Sequence, residues 1–143
     1  MLIDLINETD LKVDIDLLGK IAENLTQRDI ELIITDSEGI TALNREHRGK
    51  EEPTDVLSFP METALPHTPL GSIVISEEYV TGSAEVYGHS EQEELALLFI
   101  HGLLHLIGFD HEIDEGQMRH KEEELIRTWG LPESLIVRNE ERS

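Results

Sequence analysis

The chain has 143 residues, and its 31 Asp and Glu against 11 Lys and Arg give a formal net charge of −20. This length predicts one domain over residues 1–143, large enough to build a substantial core. The absence of cysteine excludes disulfides, thiolate nucleophiles and cysteine-ligated zinc. The acidic balance repels polyanions at long range and therefore argues against strong nonspecific binding to nucleic acid.

The sequence also predicts where the protein works. No apolar run approaches the ~20 residues of a membrane span. The N-terminal residues MLIDLINETD lack the basic start and long apolar stretch of a signal peptide. Together with the missing cysteines, these features predict a cytoplasmic protein that has no membrane partner.

The first half of the chain alternates between strand-like and helix-like spacing of apolar residues. The predicted elements are a strand over 2–6, a helix from Leu17 to near Gln27, a strand over 30–36 and a short helix around Ile40 and Leu43. A polar stretch then runs from His47 to Asp55.

Prolines and glycines punctuate the next part of the chain. The predicted elements are a strand Val56 to Phe59 stopped by Pro60, a loop to Leu70, a strand over 72–76 and a weaker helix Glu77 to Tyr87 closed by Gly88.

The clearest helix begins at Ser90, which forms the sequence pattern of a capping box with Glu93. Almost every position from Leu95 to Ile107 is apolar apart from two histidines, which predicts a central buried helix. Gly108 ends it. Another helix is predicted from Asp114 and Gln117 to just before Gly130, and the residues from Arg138 are expected to fray.

Three histidines on and after the buried helix predict a metal site. His101 and His105 are four residues apart and share one helix face, and Gly108 allows the chain to turn so that His111 returns to the same point. A single histidine on an apolar helix is usually a satisfied core residue. Three of the seven histidines within eleven residues would bury several polar groups without partners unless they ligate a metal. Three imidazoles with an open fourth position are typical of catalytic zinc, although imidazole also binds nickel, copper and iron.

The spacing H-x-x-x-H-x-x-G-x-x-H is that of metzincin proteases, with one difference. Those enzymes carry a general-base Glu directly after the first His, where this chain has Gly102. Without that carboxylate, a peptidase is a poor second choice.

A second cluster, Arg45 to Lys50, is locally net positive and precedes the segment PTDVLSFP. Arg48 could clamp an anion next to a metal, although a solvated loop whose Arg pairs with a carboxylate is the simpler interpretation when the histidines are left aside. Thr54, Asp55 and Ser58 could shape the loop and strand edge or support the site. The remaining histidines lie outside ligand spacing and are predicted to be non-ligands: His47, His67, His89 and His120.

Three segments resemble the YbeY family of bacterial rRNA maturation factors, described as metal-dependent endoribonucleases. They are LNREHRGKEEPTDVLSFP at 43–60, LGSIVIS at 70–76 and GHSEQEELALLFIHGLLHLIGFDH at 88–111. The resemblance implies an α+β fold in which a small mixed sheet packs against helices. It also implies zinc ligation by His101, His105 and His111, and a functional Arg48. The chain departs from the family at Ser72, where an Asp is usual, and at Phe109, where a Tyr is common.

The leading functional hypothesis is a zinc-dependent endoribonuclease that cleaves single-stranded RNA during ribosomal RNA processing. Arg48 would stabilise phosphoryl charge and Lys50 would help to hold the RNA backbone. The acidic surface and the few aromatic residues predict weak RNA binding, with selectivity supplied by ribosomal or ribosome-assembly proteins. The alternatives are an assembly factor with a structural zinc, and a metal-dependent hydrolase or protease with another substrate.

Overall fold

The computed structural model describes residues 2–61, 68–110 and 113–132, which form one mixed sheet and its covering helices. In chain order the elements are β1 (Ile3–Asn7), α1 (Ile15–Glu23), β2 (Ile30–Thr35), α2 (Ser37–Arg48), β3 (Val56–Pro60), β4 (Gly71–Ser76), α3 (Glu77–Tyr87), α4 (Glu91–Ile107) and α5 (Gln117–Trp129). The architecture is α+β, as the family resemblance implies.

The sheet has the strand order β1-β2-β4-β3. β1 pairs with β2, and β2 with β4, in parallel, whereas β3 runs antiparallel to β4. β3 is therefore an edge strand, and its last residue, Pro60, lacks the N–H that an interior strand would need. The sequence prediction that Pro60 stops this strand is wrong by one residue.

Helices cover both faces of the sheet. On one face, α1, α4 and α5 enclose the main core together with Leu32, Ile73 and Ile75. On the other face, Ile40 of α2 packs against Leu57 and Val74 in a smaller core. Because neighbouring strand residues point to opposite faces, β3 contributes to both cores.

Helix α4 is the central buried element, as its sequence predicts. Its side chains from Glu94 to Leu104 are all buried, so the helix has no polar face over this length. Ser90 and Glu93 form the complete capping box, and the Ser90 backbone N–H holds the pKa of the Glu93 carboxyl below its ordinary value. Gly108 ends the helix in the left-handed conformation, with φ 117°. No helix in the described ranges is long and apolar enough to cross a membrane.

Two helix ends differ from the sequence prediction. Helix α1 ends at Glu23 and not near Gln27, because the chain tightens there and the Leu25 and Thr26 N–H groups share the Ala22 carbonyl. Helix α2 continues past His47 to Arg48, so the polar stretch begins inside a helix.

Helix α5 begins later than predicted. Gly116 occupies the N-cap position with φ 101°, and the first helical residue is Gln117. Asp114 still caps the helix from outside, since its carboxylate accepts hydrogen bonds from the Gly116 and Met118 N–H groups. The predicted loop before Leu70 lies largely at 62–67, and the predicted frayed end from Arg138 follows residue 132, so both lie outside the described residues.

We expect Ser90→Ala to lower the free energy of unfolding by about 1 kcal/mol, because the Glu93 N–H then loses its side-chain acceptor. Urea denaturation at neutral pH measures this change.

Ser83→Ala is the matched control, because Ser83 lies in the middle of α3, where alanine has the higher helix propensity. An equal loss of stability in both variants would contradict a specific capping role for Ser90.

Candidate metal centre and active site

A cleft of about 400 Å³ opens between the C-terminal half of α4, the edge strand β3 and the end of α2. It is the place where the two clusters predicted from sequence meet. The residues that line it are Arg48, Thr54, Asp55, Val56, Leu57, Ser58, Pro60, His101, His105 and Asp110.

His101 and His105 lie next to each other on the cleft side of α4. Their ring centroids are 4.8 Å apart and the rings are nearly perpendicular, at 77°. His101 is buried, with 6% of its surface exposed, and His105 is partly buried. The helical spacing therefore places both imidazoles side by side on one face of the helix.

A carboxylate on α5 fixes the orientation of His101. The Nδ1 of His101 lies 3.2 Å from Oε2 of Glu122, whose side chain is 1% exposed. Because a carboxylate accepts, Nδ1 carries a proton, which leaves Nε2 as the nitrogen that can ligate a metal when the ring is neutral. Sequence reasoning missed Glu122, although its place between Met118 and Leu125 on the apolar stripe of α5 is a signal.

The imidazole of His105 has the same tautomer through a different acceptor. Its Nδ1 donates to the backbone carbonyl of Phe109 at 3.1 Å. This contact uses only the main chain of Phe109, so the tyrosine hydroxyl that is common in the family is not required for it. Both histidines of α4 thus have Nδ1 bonded to an acceptor, which is the usual arrangement of zinc-ligating histidines.

The donor set in the cleft suits zinc, but it is incomplete within the described residues. Among these, no cluster of three His, Asp or Glu side chains is arranged to hold a metal. The predicted third ligand, His111, lies outside the described residues. Asp110, which sequence reasoning did not select, lines the cleft directly before it. A metal at this position would therefore need a third donor beyond His101 and His105.

Gly102 lies against side chains of β3 and β4. A Cβ at this position would lie 2.9 Å from Ile73 Cγ2, 3.1 Å from Ser58 Oγ and 3.2 Å from Val56 Cγ2. Ser58 Oγ also donates to the Gly102 carbonyl at 2.9 Å. Side chains of β3 and β4 occupy the space around this Cα, so a glutamate at position 102 would have to displace them.

Arg48 reaches the cleft from the opposite face of the sheet. It is exposed and stands in the last turn of α2, which Gly49 closes with φ 71°. Buried Asn44 donates from Nδ2 to the Glu52 carbonyl at 2.9 Å and so anchors the loop that follows. Lys50 is exposed in this loop and is not among the residues that line the cleft.

The side chains of Thr54, Asp55 and Ser58 line the cleft and also hold its wall together. Asp55 Oδ1 accepts the Val56 N–H at 2.8 Å and lies 3.4 Å from Thr54 Oγ1. Their described contacts therefore support the loop and strand edge, which is one of the two roles that the sequence left open.

Ser72 has a partner on the neighbouring strand. Its Oγ donates to Glu31 Oε1 at 2.8 Å, and the two residues are in register across β2 and β4. An Asp at position 72 would place two carboxylates side by side, so serine here is compatible with Glu31.

Of the histidines predicted to be non-ligands, the three within the described residues, His47, His89 and His120, are not among those that line the cleft. His89 is partly buried, and its Nε2 lies 2.7 Å from Glu94 Oε1. His47 is exposed on α2 and His120 on α5, and His67 lies outside the described residues.

We expect Gly102→Glu to lower the free energy of unfolding by about 3 kcal/mol or more, because the new side chain overpacks a buried site and brings a charge into it. We also expect no peptidase activity. Thermal denaturation and a peptide hydrolysis assay measure the two effects.

Gly82→Glu is the matched control, since a Cβ on Gly82 meets no atom within 4 Å. A Gly102→Glu variant as stable as the wild type would contradict the close packing of β3 against α4.

Comparisons with known proteins agree with this architecture. The family model described as Endoribonuclease YbeY matches residues 7–130. A Sulfurovum protein named Endoribonuclease YbeY is 60% identical over 97% of this chain and 98% of its own length. A Helicobacter pylori protein of the same name is 49% identical over 98% of this chain and 100% of its own length. The solution structure of Thermotoga maritima TM1509 has 27% identity and a TM-score of 0.59, covering 90% of this chain and 89% of that one. The family match and these identities confirm the resemblance predicted from the motifs: the chain belongs to the YbeY family.

Proposed function

We propose that this chain is a zinc-dependent endoribonuclease that cleaves single-stranded RNA during ribosomal RNA processing. The observation that carries the proposal is the cleft that holds His101, His105 and Arg48 together. The chain is also similar over nearly its whole length to proteins named endoribonucleases. The cleft supplies cationic and metal-ligating groups, which are the groups that phosphodiester cleavage uses.

The proposed zinc ligands are the imidazoles of His101, His105 and His111. Glu122 and the Phe109 carbonyl hold two of these rings in the tautomer that ligation needs. When bound, the zinc supplies Lewis-acid chemistry at a phosphoryl oxygen of the substrate. The same imidazoles also accept nickel, copper or iron, so the metal itself has to be measured.

The basic residues act on the phosphate. Arg48 reaches the cleft on an exposed side chain, and its planar guanidinium can hold two phosphoryl oxygens at once. It therefore stabilises the charge that develops on the phosphoryl group. Lys50 lies in the adjoining loop and is not among the lining residues. It helps to hold the RNA backbone at a position outside the cleft.

Partner proteins supply the selectivity in this proposal. The net charge of −20 opposes broad contact with RNA phosphates, and few basic residues are available to neutralise them. Ribosomal or ribosome-assembly proteins would bring the enzyme to its RNA in the cytoplasm. The acidic surface is complementary to basic proteins of this kind.

A second candidate function is an assembly factor whose zinc is mainly structural. The burial of His101 and its contact with Glu122 favour it, because a metal bound to this ring would be coupled to the packing of α4 against α5. His111→Ala separates the two functions. A folded but inactive variant supports catalysis, whereas a variant that unfolds as it loses the metal supports a structural role.

We expect the purified protein to contain about one zinc per chain and to cleave single-stranded RNA. Arg48→Ala is expected to lower kcat/KM by about 100-fold or more and to keep the metal, since it removes a group that contacts the phosphate. His105→Ala is expected to lose both metal and cleavage. Metal analysis and an RNA cleavage assay on the same preparations measure these effects.

Arg127→Ala is the matched control for Arg48, because Arg127 is exposed on α5 and is not among the residues that line the cleft. Full activity in metal-free protein, or equal activity in His105→Ala purified by the same protocol, would contradict a metal-dependent nuclease and would indicate a contaminating one.

We expect Glu122→Gln to weaken zinc binding by about 10-fold or more, because the neutral amide stabilises the ligating His101 less than a carboxylate does. Competition with a chromogenic chelator measures the affinity without reference to activity.

Glu124→Gln makes the same chemical change at an exposed position of α5 and is expected to bind zinc as the wild type does. Unchanged zinc affinity in Glu122→Gln would contradict the role of this carboxylate in holding the ligand.

A further inference from the structure

An aromatic pair lies on the α2 side of β3, across the strand from the cleft, and neither ring has a role in the metal centre. The imidazole of His47 contacts the ring of Phe59, with centroids 4.7 Å apart and an interplanar angle of 48°. His47 is exposed, and Phe59 is partly buried. The exposed ring of His47 therefore offers an aromatic surface to solvent, and the partly buried ring of Phe59 supports it.

Phe59 is fixed by the smaller core. Its side chain packs with the cluster of Ile40, Leu57 and Val74 between α2 and the sheet. Its neighbours Ser58 and Pro60 line the cleft on the other face. Because consecutive strand residues point to opposite faces, β3 separates the aromatic pair from the cleft by the width of one strand.

The free edge of β3 connects these two surfaces. β3 is the last strand of the sheet, and Arg48 extends from the end of α2 into the cleft. His47 directly precedes Arg48 on the same helical turn. A polymer whose phosphate lies against Arg48 can therefore pass around this edge and meet the His47 and Phe59 rings.

Two exposed cations next to His47 could contact a nucleic acid strand, within a segment 45–52 whose three Lys and Arg are balanced by three Glu. In the described structure, the only ion pair formed by the segment 45–52 joins Arg45 to Glu51 at 3.2 Å. Arg48 and Lys50 are both exposed close to His47 in sequence. Two cations next to an exposed aromatic surface are the combination that single-strand binding sites use.

We propose that His47 and Phe59 form a stacking site for one nucleobase adjacent to the scissile phosphate, with His47 as the ring that the base covers. The inference deepens the proposed function and depends on it, since a base is placed there only if its phosphate is held at Arg48. Histidine and phenylalanine are both established stacking partners of unpaired bases. The site needs no base-specific hydrogen bond, so it favours unpaired RNA without reading a particular sequence.

The test combines a protein variant with a change in the RNA. Single-stranded oligonucleotides that share one mapped cleavage site carry one abasic nucleotide at successive positions around the scissile bond. The kcat/KM of the zinc-supplemented wild type and of His47→Ala is measured on each. Loss of one base stack lowers affinity by about five-fold or more. We expect kcat/KM to fall by this factor, mainly through a higher KM, for His47→Ala on intact RNA and for the wild type at one abasic position.

The combination of the two changes decides the proposal. If His47 stacks on that base, the kcat/KM of His47→Ala falls little further when the base at that position is removed. His47→Tyr then keeps the wild-type kcat/KM on intact RNA. If the effects of His47→Ala and of base removal on kcat/KM multiply at every position, the stacking site is wrong and the nuclease function stands. The same conclusion follows if His47→Ala cleaves intact RNA as the wild type does. If the wild type cleaves none of the oligonucleotides, the proposed function fails and the stacking site fails with it.

His120→Ala is the matched control, since it removes an exposed histidine from α5, outside the cleft. Phe59→Leu keeps an apolar side chain in the smaller core but removes the ring beneath His47. We expect His120→Ala to act as the wild type at every abasic position, and Phe59→Leu to raise KM in the same sense as His47→Ala.

Discussion

The hydrogen bond between His101 and Glu122 determines how the candidate site is arranged. It joins α4 to α5 in the interior, where the Glu122 side chain is 1% exposed. An unpaired carboxylate at that depth is strongly unfavourable, so the carboxylate and the imidazole have to remain together. The ring of His101 is thereby fixed with Nδ1 inward and Nε2 toward the cleft. Because the fold already orders the His101 ring, binding of a metal there costs little further side-chain conformational entropy.

The second constraint is the contact of β3 with Gly102. The absence of a side chain allows the strand to approach α4, and the Ser58 hydroxyl then bonds to the Gly102 carbonyl. This approach brings the wall of the cleft, with Thr54 and Asp55, next to the histidine pair. Gly102, which stands where a metzincin protease has its general-base Glu, is thus a packing residue. Its missing side chain allows the close approach that forms this side of the cleft.

Local signals explain which features were predictable from sequence. The capping box of Ser90 and Glu93, the terminating Gly108 and the spacing of the histidines act within one helix, and the structure has each of them. Contacts between distant segments were not predictable in this way. Glu122 meets His101 across 21 residues, and the Gly102 contact needs β3 at its side.

Helix ends were the intermediate case. The extension of α2 to Arg48 depends on Gly49 adopting φ 71° and on the Asn44 contact with Glu52, which the polar residues of this stretch conceal. The sequence prediction ended this helix before His47 and so assigned His47 to the polar stretch that follows. Its helical position next to Arg48 is what aligns it with Phe59.

The site draws its parts from opposite faces of the sheet, and this division governs how it can evolve. Substitutions at His101, Gly102 or Glu122 disturb the main core, so selection for a folded protein preserves that half even where activity is not required. His47, Arg48 and Lys50 are exposed at the end of α2 and its loop, and few of their replacements would disturb a core. Replacements at this exposed end can therefore alter the surface of the site at little cost in stability, whereas replacements in the interior half cost stability as well.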